Sequence, residues 1–295
     1  AGDPLFRAGM VNDASWVDID KDGWKDLIIA GDWMPITVFH NEKGKRLANI
    51  TEQLGLEKTN GFWHKILPAD VDNDGDIDFI AGNLGNNTQF KTTADQPLVT
   101  YAGDFNDDGR IDPIMTWFIQ NISYPFNSRD ELVEQIPALN KKFIKYADYA
   151  TATIQDILPE AQLKNARKYY IYNTQTCIFI NNGGRFECKP LPAEAQFSMV
   201  QSVLYRDYDG DGKKDILLAG NFYPFRVQQG RCDAGFGCLL KAGDKGNFIT
   251  DDRSIAAGLF IPGDVRDMTE LNGGRKNCIV ISKNNAAVQV LSCNK

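Results

Sequence analysis

Short apolar stretches recur along the chain between clusters of Asp, Asn and Gly, the pattern of short strands joined by tight turns. Residues 14–17 lead into an acidic cluster, and residues 25–30, 36–39 and 47–50 follow as three more stretches, the last after the turn Asn41-Glu42-Lys43-Gly44. Four antiparallel strands in succession predict one blade of a β-propeller. A second blade is expected from residues 66–69, 79–82 and 98–101, and a third from the acidic cluster at Asp104 with residues 114–119 as its second strand. A fourth contains residues 216–219, and a fifth opens at Gly263-Asp264-Val265-Arg266-Asp267.

The period changes once. Ser128 and Glu131 form a capping-box pair, and Leu132, Ile136, Leu139 and Phe143 follow at helical steps, with Pro137 and Pro159 dividing the stretch into short helices. The hairpin around Asn181-Asn182-Gly183-Gly184 is then expected to complete the third blade. The fold class is therefore all-β: a single domain over residues 1–295, a propeller of about five four-stranded blades, with a helical insertion at residues 128–166 in the third blade. Pro4-Leu5-Phe6-Arg7 precedes Ala8-Gly9 as a fourth strand would, Ala257-Gly258 holds the matching place before the fifth blade, and the N-terminal segment is expected to close the ring there.

The turns between first and second strands are unusual. Four nonads place carboxylates or an amide at positions 1, 3, 5 and 9 around a glycine at position 6: Asp18, Asp20, Asp22, Asp26; Asp70, Asp72, Asp74, Asp78; Asp104, Asn106, Asp108, Asp112; and Asp207, Asp209, Asp211, Asp215. So many carboxylates within nine residues repel one another unless a cation lies among them, and hard oxygen donors in flexible number suit calcium better than magnesium. The glycine lets the position-7 carbonyls of Trp24, Asp76, Arg110 and Lys213 join the ligand set. An EF-hand would need a Glu at position 12, where Ile29, Ala81, Met115 and Leu218 stand, so position 9 must close each loop. About four structural Ca²⁺ sites are expected.

This assigns the charge as well. The net charge is −7, the nonads carry 15 carboxylates, and four calcium ions would bring the total to +1, so the acidity belongs to the loops and not to a partner. No basic stripe follows a phosphate backbone, which argues against nucleic acid, and no apolar run approaches the roughly 20 residues that span a bilayer. A chain starting at Ala1 is expected to be the processed product of a longer precursor, with any membrane anchor outside it. Six cysteines fall into three local pairs, Cys177 with Cys188, Cys232 with Cys238 and Cys278 with Cys293, and as disulfides they would place the protein in an oxidising, extracytoplasmic compartment.

The nonads, with Phe39-His40-Asn41-Glu42-Lys43-Gly44 and the stretch from Phe179-Ile180-Asn181-Asn182 to Gly183-Gly184-Arg185-Phe186, resemble FG-GAP/VCBS repeats. The resemblance implies a calcium-braced propeller of the kind found in integrin α-subunits and bacterial surface proteins. Ala8-Gly9-Met10-Val11, Gly31-Asp32-Trp33-Met34-Pro35 and Tyr124-Pro125-Phe126-Asn127 further resemble the C-terminal part of bacterial VCBS proteins related to ASPIC/UnbV, which are exported or lipid-anchored. Asn106 and the acid-poor fifth loop depart from the pattern.

In such a fold the second-to-third connections share the face opposite the cation loops. Trp33, Met34, His64, Asn86, Tyr223, Phe225 and Arg226 are the candidate ligand-binding residues there, aromatics and amides suited to a sugar ring or a protein loop, although packing between blades is the commoner fate of such aromatics. With His40 and His64 the only histidines and no serine nucleophile motif, a binding or adhesion module for a protein or glycan is favoured over its alternative, a glycan-acting enzyme using carboxylates.

Overall fold

β1 (Met10–Val17), β2 (Asp26–Met34), β3 (Thr37–Asn41) and β4 (Leu47–Asn49) form an antiparallel meander, and β5 (Gly61–Phe62) pairs with the far end of β2. The structure is a computed structural model that describes residues 5–226, 229–244, 246–251, 254, 258–273 and 276–293. β2 is buried on both faces: Ile28 and Ala30 join one core, Leu27 and Ile29 another. A strand covered on both sides reads as a continuous apolar run, which is how its sequence is written.

The second sheet begins with β6 (Lys65–Ala69) and β7 (Asp78–Gly82). The chain then leaves it to build a separate sheet from β8 (Leu98–Gly103), β9 (Asp112–Ile119) and β10 (Ile122–Pro125). Five short helices follow, α1 (Arg129–Gln135), α2 (Leu139–Lys142), α3 (Tyr146–Ala150), α4 (Ile154–Ile157) and α5 (Glu160–Asn165), and β11 (Arg167–Ile171) closes that sheet in the order β10-β9-β8-β11. Only then do β12 (Cys177–Asn181) and β13 (Phe186–Pro190) return to complete the second sheet as β13-β12-β7-β6.

This corrects the expected third blade. The helices fall where expected, and Ser128 and Glu131 make the reciprocal capping box. The insertion is larger, however: residues 83–176, including the third nonad, lie between two adjacent strands of the second sheet. The hairpin 177–190 belongs to that sheet because Cys177, Ile178 and Phe179 pair with Ala81, Ile80 and Phe79, apolar on both faces. Residues 98–101 accordingly open the inserted sheet and do not end the second.

β14 (Val200–Arg206), β15 (Asp215–Gly220), β16 (Cys238–Ala242) and β17 (Phe248–Thr250) form another four-stranded meander, and β18 (Val265–Gly273), β19 (Lys276–Lys283) and β20 (Gln289–Cys293) a three-stranded one. Among the described residues no N-terminal strand completes the latter, since Leu5, Phe6 and Arg7 form a turn; Pro4 and Ala257 lie outside the described residues.

Alternation along the middle strands stacks these meanders face to face. Phe79 and Ala81 pack with Ile28 and Val38 of the first sheet and with Trp63, while Ile80 turns to Val203, Ile216 and Leu218. Leu217 and Ala219 then meet Val265, Met268 and Ile281 of the last. Burial of Phe79, stacked on Phe179 at 4.8 Å between ring centroids, contributes about 2–3 kcal/mol. The first strands succeed one another, β1 against β6, β6 against β14 and β14 against β18. A further core of Leu84, Phe90, Leu98, Ile171 and Met199 holds the insertion to the main body, with Trp33, Phe62, Trp117, Phe126, Phe222 and Phe225 around it. No helix among the described residues is long and apolar enough to cross a membrane.

Candidate functional site

The four nonads fold alike. In each, the position-1 carboxylate accepts the position-6 amide: Gly23 to Asp18 at 2.9 Å, Gly75 to Asp70 at 3.1 Å, Gly109 to Asp104 at 2.8 Å and Gly212 to Asp207 at 3.0 Å. Position 3 accepts the amide of position 5, and position 5 that of position 7, so Trp24, Asp76, Arg110 and Lys213 are each held by the acid two residues before. Position 4 is left-handed throughout, with φ near +60° at Lys21, Asn73 and Asp107 and +80° at Gly210. Asn and Asp tolerate this region, Gly more so, and Lys21 pays its cost within a frame that the other bonds over-determine.

Position 9 has a different role. Asp26, Asp78, Asp112 and Asp215 are buried, and their Oδ2 atoms accept the position-2 amides of Ile19, Val71, Phe105 and Tyr208 at 2.8–3.1 Å. In the sheets of the first, second and fourth nonads Oδ1 accepts a further amide from the neighbouring strand, Asn41 at 2.8 Å, Asn181 at 2.7 Å and Ala242 at 3.0 Å. The closing carboxylate is thus a strut between loop and neighbouring strand, with lone pairs left for a cation. Burial pushes the Asp78 and Asp215 carboxyls above their ordinary value; the backbone bonds oppose this and neighbouring loop acids add to it.

Oxygens of Asp18, Asp20 and Asp26, of Asp70, Asp72 and Asp78, and of Asp207, Asp209 and Asp215 converge to within 4.8 Å of one another. All are hard donors, as calcium requires. In the second loop Asp70 Oδ1 is buried, and no hydrogen-bond partner among the described residues reaches it. A carboxylate oxygen so placed fits a cation ligand.

One variable position was not legible in the nonads. The third-strand residue just before the strut's amide is His40, Ile180 or Lys241. Lys241 Nζ lies 2.6 Å from Asp209 Oδ2, and His40 Nδ1 3.3 Å from Asp20 Oδ2, both at position 3. Ile180 brings no charge to Asp72. In the third loop the Asn106 amide nitrogen bonds the carbonyl of Gln135 at 2.8 Å. Lys21 of the first loop reaches Asp76 of the second at 2.7 Å and ties the two loops together.

On the opposite face the expected ligand residues divide. Met34 is buried, and Trp33 packs edge-on against Phe62 at 5.5 Å, so these two belong to the core, as most aromatics in stacked sheets do. Arg226 pairs with Glu131 of α1 and lies over Phe126, fastening the insertion, and Tyr223 lies beneath Arg231. Asn86 and Phe225 do meet, in a cavity of about 350 Å³ shared with Lys91 and Arg231. His64 lines a second cavity, of about 570 Å³, with Asn12, Asp13, Asp32, Lys65, Gln201, Phe222, Arg266 and Asp267. Burial lowers the His64 imidazole and raises the Asp32 carboxyl, the two being 3.5 Å apart.

The expected disulfides are absent among the described residues. Cys177, Cys188, Cys232, Cys238 and Cys278 are thiols. The hairpin register puts Cys188 opposite Phe179 and Cys177 opposite Pro190, although both sulfurs lie near the Asn173 amide, at 3.4 and 3.6 Å. Cys232 instead pairs with Phe222 and sits 3.1 Å from Ser198 Oγ, and Cys278 faces Ser292, one residue short of Cys293, whose side chain lies outside the described residues.

A family model described as an FG-GAP-like repeat matches residues 18–81, from the first acid of the first nonad to the penultimate residue of β7. No curated protein matches the chain.

Proposed function

We propose that this chain, which contains an FG-GAP-like repeat, is a calcium-stabilised extracytoplasmic binding module whose sheets are the blades of a propeller. The observation that carries this reading is the fourfold recurrence of one loop frame, with acid oxygens converging in three of the loops and a buried, unpartnered Asp70 oxygen in the second. Calcium there screens the acids and fixes the bend between first and second strands. It does its work as a brace, and Asp18, Asp70, Asp207 and their loop partners would hold it.

FG-GAP repeats are typically binding or adhesion modules. Both cavities lie at the strand ends remote from the cation loops, where rigid scaffolds gather variable loops for recognition. The ligand class is a protein or glycan, taken up by residues of that face. Glycan and peptide arrays probed with calcium-loaded and chelator-treated protein test this. Retention that requires calcium supports the module, while conversion of a retained glycan into product would replace it with the enzyme reading.

A further inference from the structure

The cavity around His64 is assembled by a repeated device. β1, β14 and β18 each carry a bulge, after Val11, Val200 and Val265, and the extra residues are Asn12, Gln201 and Arg266, all of which line the cavity. Bulges re-aim side chains and cluster beside sites. Here three sheets turn one polar side chain each toward a shared space at the ends of their first strands.

One triplet breaks its own pattern at this place. Ala81-Gly82-Asn83 and Ala219-Gly220-Asn221 end with a buried amide whose oxygen and nitrogen are both hydrogen-bonded. Asn83 accepts the amides of Phe62 and Leu84 and donates to the Asn173 carbonyl, while Asn221 accepts from Gly235 and Ser198 and donates to the carbonyls of Gly235 and Gly263. The corresponding triplet of the first sheet is Ala30-Gly31-Asp32. Asp32 Oδ1 is buried, and no hydrogen-bond partner among the described residues reaches it. A neutral strut has been exchanged for a carboxylate whose Oδ1 accepts no hydrogen bond and has the His64 ring nitrogen beside it, at 3.5 Å, in the cavity.

The cations nearby are already engaged. Lys65 stands between Asp13 at 3.5 Å and Asp267 at 3.8 Å, and Arg266 bonds Asp264 at 2.9 Å while lying over Phe222. Beside Asp32 stand His64, whose Nε2 lies 3.5 Å from Oδ1, and the amide of Asn12, while no lysine or arginine among the described residues pairs with its carboxylate.

We propose that this cavity binds a primary ammonium group, seated on Asp32. An ammonium donates to the unmet oxygen and cancels its charge, which a neutral hydroxyl does only in part. The cavity is far larger than the ammonium, so the amine is one end of a longer ligand, a lysine side chain or a free polar amine. The assignment rests on reading this face as the binding face and names the chemistry recognised there.

The test uses the chain's two histidines as separate reporters, His64 in the cavity and His40 at a cation loop. With calcium saturating, methylammonium and Nα-acetyl-lysine amide are titrated while the ring protons are followed by NMR, with methanol and the norleucine analogue as neutral controls. The amines are expected to shift His64 saturably, leaving His40 unmoved, and stronger binding of the lysine derivative identifies a side chain as the source. Asp32→Asn, isosteric with the Asn of the other triplets, should weaken amine binding about tenfold or more. Should that variant fail to fold, the wild-type His64 response still decides. A silent His64, equal response to the neutral controls, or undiminished binding in folded Asp32→Asn overturns the assignment; array ligands that bind without moving His64 overturn it too, while leaving the face a binding face.

Discussion

If the nonads bind calcium as proposed, the side chain that stands beside each position-3 acid sets how far that loop depends on the metal. Lys241 supplies the fourth loop with an ammonium at 2.6 Å, whereas Ile180 brings no charge to the second loop. Lys241→Met should therefore lower the melting temperature in chelator and enlarge the further gain on adding calcium. A partly exposed pair contributes up to about 1 kcal/mol, or roughly 2–4 °C for a chain of this order of size, readable by thermal denaturation with and without calcium. If calcium sensitivity is unchanged in that variant, Lys241 has no share in the site. The nonads themselves were legible because a nine-residue turn is local: its acids and glycine speak for themselves. Lys241 was not, because its place beside Asp209 depends on strand register 32 residues away.

At the scale of elements, loop and strand are joined by the buried struts, and this joint is pH-sensitive. Asp78 and Asp215 titrate above the ordinary carboxylate value in the fold, so the folded state holds their protons more tightly than the unfolded chain does. Without metal their contribution is present below the unfolded pKa, near 4, and is lost as pH rises through the raised folded values. Bound calcium favours the ionised form and removes that loss. The stabilisation given by calcium over chelator is thus expected to grow from about pH 4 upward and then level, and a calcium increment independent of pH across that range would contradict the strut role.

Strand existence was largely readable from alternation, but strand partnership was not. Residues 177–190 look like any hairpin in sequence, and only the match of two-faced apolar strands β7 and β12 places them in the second sheet, across 94 intervening residues numbered 83–176. Symmetry about the turn did not fix the register either: Cys188 stands opposite Phe179, diagonal to Cys177, and the two thiols meet there.

Across the whole molecule, the two ends of the stacked sheets divide the work. One end carries the acidic nonads, which hold the bends; the other carries two cavities and the aromatic layer that seats the insertion. Of the candidate ligand residues, His64, Asn86 and Phe225 line these two cavities, since exposure at a strand end depends on how neighbouring sheets close over it. The change from Asn to Asp in the repeated triplet was the available signal for the rest. The most direct test is the number of calcium ions taken up by chelator-stripped protein, measured by calorimetric titration alongside its melting temperature. Uptake of about four ions per chain, one for each nonad, with a rise in melting temperature by mass action is the predicted result. Absence of saturable uptake, or uptake that leaves the melting temperature where it was, would contradict a metal-braced fold.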